Sequence, residues 1–195
     1  MSTTTKQPYL NALALATALQ ALLEPSCERF LLAGSLRRKK AMVGDIEIVA
    51  IPKIEIVTDM FGMPSSQGYS LLNDALARAT TITLEKKDGD KFKQFLFRVG
   101  EQSIKVDLFL PTVETWGAIA TIRTGCAEFS QWLMTERRRG GGCPTGMKFR
   151  KGRLIGYDGK PLNTPEEADV FAALELDWID PTERTPELTK TLWRR

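Results

Sequence analysis

Three acidic residues in strand-like apolar segments have the types and spacing best suited to chemistry in this sequence. Asp45 and Glu47 are two residues apart in one such segment, and Asp107 lies in another. Because residues i and i+2 of a β-strand point to the same face, the first two carboxylates are expected to reach one site while Ile46 and Ile48 enter a core. Carboxylates are ligands that Mg²⁺ prefers, and Asp107 on an adjacent strand would complete the set. The pattern predicts a site for two divalent metal ions.

A glycine-serine turn and a pair of arginines precede the first acidic segment. Gly34 allows the backbone to approach a ligand closely, and Ser35 with neighbouring free N–H groups is suited to bind phosphate oxygens. Arg38, and secondarily Arg37, would place a guanidinium on a triphosphate, where its fork geometry favours bidentate contact. Two metal ions roughly 3.5–4 Å apart would activate a hydroxyl and stabilise a pyrophosphate leaving group. Phosphoryl-type transfer is therefore the first hypothesis.

The amino-acid composition excludes some kinds of catalysis and indicates the cellular compartment. The 195-residue chain contains no histidine, which excludes His-based nucleophilic triads, histidine general bases and His-ligated zinc. Its three cysteines have no metal-ligand spacing and fit a reducing cytosol. No apolar run approaches the roughly 20 residues of a membrane helix, and the N-terminal segment lacks the features of a secretory signal. We expect a cytoplasmic or otherwise intracellular protein with no membrane partner.

Positive charge is clustered although the net charge is only +3. The arginine run Arg137, Arg138 and Arg139 is followed by Lys148 and Arg150 within a stretch that contains few acidic residues. Such clustering is the footprint of a partner with a phosphate backbone, and each phosphate that is neutralised steepens the salt dependence of binding. These five residues are the predicted contacts with such a partner.

Hydrophobic periodicity and turn residues predict a mixture of helices and strands. The segment 54–68, with scattered Gly, Pro and Ser, is predicted to be a loop, and Gly140-Gly141-Gly142 to be a hinge or a C-cap region. Helices or helical turns are expected at 10–23, 35–38, 70–79, 115–123 and 128–138, and strands at 29–33, 45–51, 81–86, 92–99 and 103–110.

The motifs resemble the palm of the family X DNA polymerases, the polymerase-β-like branch of the nucleotidyltransferase superfamily. The resemblance begins with Gly34-Ser35-x-Arg37-Arg38-x5-Gly44-Asp45-x-Glu47 and continues with Val106-Asp107-x-Phe109. Further along, Val113–Ala118 is similar to the segment that leads to the nucleotide pocket of that family, and Thr124-Gly125-Cys126 resembles its Thr-Gly-Ser turn.

The C-terminal part resembles the thumb of the same family. Asp158–Leu162 is similar to its hairpin, Pro165–Phe171 to its helix with a Glu-Glu/Asp-x-Phe pattern, and Trp178–Arg184 to its closing Pro-x-x-Arg segment. The likeness therefore extends from about Leu10 to Arg184, in the right order. Few residues precede the first predicted palm helix, so the resemblance implies a minimal palm-plus-thumb form.

The resemblance implies an α+β fold: a nucleotidyltransferase palm over 1–139, with a mixed sheet and helices on one face, and a small α/β thumb-like subdomain over 140–195. It implies a monomeric, magnesium-dependent DNA polymerase that uses two ions, with Mn²⁺ as an alternative, and that adds dNMP from a dNTP to a primer in gapped or primed duplex DNA. Short-gap filling in DNA repair is the expected role. The implied catalytic and metal ligands are Asp45, Glu47 and Asp107. The implied nucleotide contacts are Gly34, Ser35, Arg38, Gly44, Thr124, Gly125 and Cys126.

Departures from the family pattern keep two alternatives open. Glu47 replaces the usual aspartate, and Ile122-Arg123 stands where relatives carry aromatic residues that screen the sugar. Ser130 and Met134 stand where an amide often contacts the incoming base and an arginine often contacts the template. These changes suggest low fidelity or weak template dependence. A template-independent terminal or small-molecule nucleotidyltransferase is therefore the first alternative, and a catalytically inactive DNA-binding module is the second.

Overall fold

A five-stranded mixed sheet organises the N-terminal part of the chain. The computed structural model describes residues 6–58 and 64–193; at 57, 58, 64–67 and 84–87 it describes the backbone only. The strands are β1 (Gln7–Pro8), β2 (Cys27–Leu32), β3 (Met42–Val43), β4 (Asp45–Pro52), β5 (Ile54–Thr58), β6 (Pro64–Ser70), β7 (Ile82–Asp88), β8 (Phe92–Val99), β9 (Gln102–Phe109), β10 (Lys148–Arg150) and β11 (Arg153–Ile155). The α-helices are α1 (Tyr9–Leu23), α2 (Gly34–Arg37), α3 (Leu71–Arg78), α4 (Trp116–Thr124), α5 (Ala127–Met134), α6 (Glu167–Ala173) and α7 (Pro186–Leu192).

The order of strands in the main sheet is β2-β4-β9-β8-β7. Strands β4 and β9 are parallel, and each other neighbouring pair is antiparallel. Short two-stranded sheets pair β1 with β3, β5 with β6 and β10 with β11. The predicted α+β class with a mixed sheet is confirmed.

Strand β4 is buried because both of its faces are apolar beyond Glu47. Ile46, Ile48 and Ala50 are fully buried in a core that α1 and α3 cover. On the opposite face, Val49 joins a second core with Trp116 of α4. The prediction that helices lie on one face is therefore wrong: both faces of β4 need cover, and helices provide it on both.

A further core lies in the C-terminal part of the chain. Helix α5 contributes Phe129 and Leu133, which are fully buried against Leu154 of β11 and Val170 of α6. Helix α5 therefore packs on segments that follow it in sequence rather than on the main sheet. Among the helices in the described ranges, none has the length and apolar character needed to cross a membrane.

Most of the predicted helices and strands are confirmed to within a few residues, and two predictions about individual elements are wrong. In the segment 54–68, the described parts form β5 and β6, which pair antiparallel; residues 59–63 lie outside the described residues. In this small sheet the apolar side chains of Ile54 and Ile56 are exposed, so their burial does not account for the pairing of the two strands. The second wrong prediction is the helix over 128–138.

Helix α5 ends at Met134 because the chain after it bonds to a later segment. The amide of Cys143 donates to the carbonyl of Thr135 at 2.9 Å, and the amide of Arg137 donates to the carbonyl of Cys143 at 2.6 Å. These bonds require an extended backbone, so Arg137–Arg139 forms a separate 3₁₀ turn. Gly140 caps that turn at φ 85°, which confirms the C-cap interpretation of the glycine run.

Candidate active site

The acidic residues singled out by the sequence lie on the two central parallel strands. Glu47 of β4 is the register partner of Asp107 of β9, and Asp45 is the partner of Lys105. Because Ile46 and Ile48 face the core, the carboxylates point to the other face of the sheet. The structure therefore brings the three predicted acidic residues together, and we call Asp45, Glu47 and Asp107 the carboxylate site.

Lys105 lies between two members of the carboxylate site. Its Nζ is 3.2 Å from Oδ2 of Asp45 and 3.4 Å from Oδ2 of Asp107. The other oxygen of Asp107 accepts a hydrogen bond of 2.6 Å from Nε2 of Gln94. Burial alone would lower the pKa of Lys105, but the neighbouring charges of Asp107 and Asp45 outweigh it and raise that pKa. The ammonium group is therefore a cation held by two carboxylates on adjacent strands.

Glu47 has the most perturbed carboxyl group of the carboxylate site. Burial, reinforced by the charge of Asp45, raises its pKa to about 7, although Arg38 and Arg123 act in the opposite direction. Its side chain packs directly against Gly34, whose φ is 59°. A Cβ at Gly34 would collide with this carboxylate, so the glycine is required both by its backbone conformation and by Glu47.

The donors of the carboxylate site fit a divalent cation by their chemistry. They are hard oxygen ligands, and two of them already share the ammonium of Lys105. Within residues 6–58 and 64–193, no three His, Cys, Asp or Glu side chains are arranged around one point as a ready metal cage. The three carboxylates do not surround one point because Lys105 lies between the two aspartates and Glu47 packs against Gly34.

The glycine-serine turn lies next to the carboxylate site. Gly34 and Ser35 open helix α2, and Oγ of Ser35 is buried without a hydrogen-bond partner among the described residues. Gly44 directly precedes β4. The unpartnered hydroxyl of Ser35 is the kind of donor that a phosphate oxygen would satisfy.

Arg38 joins the glycine-serine turn to the predicted Thr-Gly-Cys turn. Its Nη1 donates to the carbonyls of Thr124 and Gly125 at 2.5 and 2.9 Å. Thr124 is fully buried and its hydroxyl accepts a 2.8 Å bond from Arg37, so its side chain faces the protein interior. Cys126 is also buried, and its sulfur caps α5 by accepting from the amide of Phe129 at 3.3 Å. Gly125 and Cys126 of this turn border a cleft.

A cleft of about 970 Å³ borders part of the predicted site. Of the predicted site residues, those that line it are Arg38, Glu47, Asp107, Gly125 and Cys126, and those that do not are Gly34, Ser35, Gly44, Asp45 and Thr124. Glu47 and Asp107 line it on the sheet, and the turn at Gly125 lines it on the helical side. Several basic residues in the wall of this cleft were not selected from the sequence as site residues. They are Lys91, Lys105, Arg123, Lys151 and Arg153. Lys105 could have been found, because it is two residues before Asp107 in the same strand and so shares its face.

Arg123 contributes a guanidinium to this cleft from the end of α4. Its Cζ lies 4.0 Å from the centre of the Phe109 ring, and its Nε is buried without a hydrogen-bond partner in the described chain. Its charge also lowers the pKa of Glu47 against the effect of burial. Arg123 therefore stacks on the strand that carries Asp107, at the position where the family pattern has an aromatic residue.

Comparison with known protein families gives a match in the C-terminal part of the chain. The family model of the DNA polymerase beta thumb matches residues 143–185. The match covers less than a quarter of the chain and supports a family X polymerase-like protein. No curated protein sequence matches the chain. The matched segment contains the β10–β11 hairpin, α6 and the closing Pro-x-x-Arg motif that ends at Arg184.

Within the segment that matches the thumb model, the closing arginine is buried. Arg184 is 0% exposed, and its Nη1 donates to Glu167 Oε1 at 2.7 Å. The other oxygen of Glu167 accepts a 2.5 Å bond from Arg37 of α2. The guanidinium of Arg184 also lies 5.2 and 5.1 Å from the rings of Phe171 and Trp178. We call Arg37, Glu167 and Arg184 the arginine-glutamate network; it links the thumb to the helix after the glycine-serine turn.

The five predicted DNA contacts fall into two groups. In the 3₁₀ turn, Arg137 donates to Glu175 at 2.8 Å and to the carbonyl of Leu174, Arg138 pairs with Glu136, and Arg139 is exposed. In the thumb, Lys148 and Arg150 are exposed on β10. None of these five residues lines the 970 Å³ cleft.

Proposed function

We propose that this protein is a DNA-directed DNA polymerase of the family X type that adds dNMP from a dNTP to a primer 3′-hydroxyl. The observation that carries the proposal is the register of Glu47 with Asp107 across parallel strands, with Asp45 on the same face and a polymerase β-type thumb in the same chain. The sheet around them would be a nucleotidyltransferase palm. Short-gap filling with low fidelity in DNA repair is the proposed role.

The proposed roles follow from the chemistry of each group. Gly34 and the Ser35 hydroxyl would receive phosphate oxygens of the nucleotide, and Gly44 would let the chain turn into β4. Arg38 would neutralise charge on the β- and γ-phosphates, and Asp107 would accept the proton of the attacking 3′-hydroxyl. The turn at Thr124, Gly125 and Cys126 would border the nucleotide from the helical side.

The carboxylate site would hold the metal. Asp45, Glu47 and Asp107 are the proposed ligands of two Mg²⁺ ions, with Mn²⁺ as an alternative. When bound, these ions would lower the pKa of the primer hydroxyl and neutralise the leaving pyrophosphate. A charged Glu47 is needed for this role, and a bound cation would supply the opposite charge that overcomes the effect of burial on its pKa.

We further propose a palm over 1–139 and a thumb over 140–195 in a monomeric protein. Helix α5 precedes this division, although its apolar face packs on the C-terminal core. Gapped or primed duplex DNA would lie across the cleft, with the predicted basic residues contacting its backbone.

A second candidate, a template-independent nucleotidyltransferase, is favoured by the wall of the cleft around α5. The Ser130 hydroxyl donates to the carbonyl of Ile122 at 2.7 Å and is therefore engaged inside the protein. Met134 lines the cleft and is 40% exposed, so an apolar group stands where a template contact would be expected. Neither side chain is suited to read a base pair by charge-assisted hydrogen bonds.

One experiment separates these functions. The protein is incubated with Mg²⁺ and each dNTP singly, with a primer that either borders a one-nucleotide gap or is single-stranded. Addition of the complementary nucleotide alone supports the polymerase. Addition without regard to template supports the transferase, and binding of DNA with no addition supports an inactive DNA-binding module. Repeating the assay with rNTPs tests sugar selection at the position of Arg123.

A further inference from the structure

The β10–β11 hairpin is a dense patch of positive charge. Four of the six residues 148–153 are basic, and no acidic residue occurs between 144 and 157. The four cations are Lys148, Arg150, Lys151 and Arg153, and all are exposed. Among the described residues, none of them forms a salt bridge. By contrast, Arg29 and Arg137 each contact a carboxylate.

The tip of the hairpin brings like charges together. Arg150 and Arg153 are direct cross-strand partners, joined by the two-residue loop Lys151-Gly152. Both loop residues have positive φ, 51° and 76°, as in a type I′ turn. Like charges directly opposite in an antiparallel pair are destabilising. Lys151 also has a backbone conformation that lysine adopts rarely, so the local sequence does not favour the free hairpin.

The hairpin tip faces the candidate active site. Lys151, Gly152 and Arg153 line the cleft that contains Glu47 and Asp107. Gly152 approaches the side chain of Ile119 on α4, where an added Cβ would lie 2.8 Å from Cδ1. The tip is therefore docked at the rim of the cleft. The charge of Arg153 reaches Glu114, whose pKa is lowered chiefly by a hydrogen bond from Thr112 and to a smaller extent by Arg153.

We propose that the hairpin tip, residues 150–153, is a binding site for the phosphate backbone of DNA at the rim of the cleft. A backbone phosphate beside Arg150 and Arg153 would relieve their repulsion, because two guanidinium groups can share its oxygens. The hairpin tip, rather than the turn at Arg137–Arg139, supplies the larger part of the salt-dependent affinity. The inference rests on the proposed function in taking DNA as the polyanion.

The test compares two triple variants of the full chain that lose equal charge. The hairpin variant is Arg150→Gln, Lys151→Asn and Arg153→Gln; asparagine suits the positive φ at 151. The control is Arg78→Gln, Arg98→Gln and Lys160→Gln, three exposed positions outside the cleft. Fluorescence anisotropy with a labelled one-nucleotide-gap duplex is recorded over a range of salt concentrations. The slope of log K against log salt is expected to fall by about 2–3 in the hairpin variant, since each phosphate contact contributes about 0.9.

Equal slopes in the two variants would overturn the inference, as would absence of DNA binding by the natural sequence. Nucleotide addition is measured separately at saturating DNA. If the salt slope depends on the hairpin but no nucleotide is added, the polymerase proposal is rejected and this inference stands. If nucleotide is added but the salt slope does not depend on the hairpin, this inference is rejected and the polymerase proposal stands.

A second measurement does not use DNA. At low salt the melting temperature of the hairpin variant is expected to rise by about 1–3 °C, because the like-charge pair is removed. An unchanged or lower value would contradict the repulsion at the tip.

Discussion

Carboxylates meet cations in two regions of this protein, with opposite balances of charge. The carboxylate site has three acidic groups around one close ammonium, that of Lys105. The arginine-glutamate network has one acidic group between two guanidinium groups, and it is buried on the side of Arg184. The first region borders the cleft, while the second joins α2 to the thumb.

The difference separates a binding role from a structural one. In the carboxylate site the negative charge exceeds the close positive charge, so an added cation would be bound favourably. In the network, each oxygen of the Glu167 carboxylate already accepts a charge-assisted hydrogen bond. A buried ion pair of this kind is costly to break, because one partner would stay charged without compensation. Charge balance and burial, rather than the presence of acidic residues, distinguish the two regions.

The largest effect is expected from the carboxylate site. We expect Asp107→Asn to reduce the rate of nucleotide addition by about a thousandfold, since it removes the proposed proton acceptor while keeping the shape of the side chain. Single-turnover primer extension measures the rate, and the melting temperature should stay close to that of the natural sequence. Asp177→Asn, at an exposed position outside the cleft, is the control. Retained activity in Asp107→Asn would reject the site assignment.

The network is expected to affect stability instead. Glu167→Gln should lower the free energy of unfolding by about 3–5 kcal/mol, because Arg184 is left buried without its counter-charge. Urea denaturation measures this change. Asp74→Asn breaks a pair whose arginine is 77% exposed and should cost only about 0.5–1 kcal/mol. Similar losses of unfolding free energy in both variants would mean that the buried network stabilises the protein no more than an exposed ion pair does.

The pH dependence of stability tests the burial of Glu47, whose effect on the pKa the charge of Asp45 reinforces. The pKa of Glu47 is about 7 in the folded protein, compared with the usual value of 4.5. Between pH 4.5 and pH 7 the folded state therefore keeps a proton that the unfolded state has lost. This contribution to stability is present below pH 4.5 and is lost as pH rises through 7, with a total of about 1–3 kcal/mol. Urea denaturation at pH 5 and pH 8 is compared with that of Glu47→Gln, in which this part of the loss should vanish. Parallel pH profiles would contradict the raised pKa.

The smallest effect concerns the competition between Lys105 and a metal ion. Lys105→Met removes one positive charge from between the aspartates, and at about 4 Å in a solvated site this is worth about 1 kcal/mol. We expect Mn²⁺ to bind about fivefold more tightly, as measured by electron paramagnetic resonance of the free ion. Arg98→Gln, an exposed position on β8, should leave the affinity unchanged. Weaker binding in Lys105→Met would show that the lysine supports the metal ligands.

Local sequence patterns predicted much of the fold and the common face of the first two carboxylates. Alternation in β4 placed Ile46 and Ile48 in the core and so left Asp45 and Glu47 together on the other face. The same reasoning could have included Lys105, two residues before Asp107. It failed for β5 and β6, whose described side chains are not buried, and for the end of α5, where the chain bonds to a distant segment.

The sequence by itself determined which residues share a strand or a turn, and the order of motifs that resembles a palm and a thumb. These are local properties, because side-chain direction repeats with fixed periods along the chain. The tertiary structure alone decided that Glu47 is in register with Asp107, that Arg38 bonds to the turn at Thr124, and that Arg37 shares Glu167 with Arg184. These contacts join segments tens of residues apart, and they depend on strand register and core packing, which no local spacing specifies.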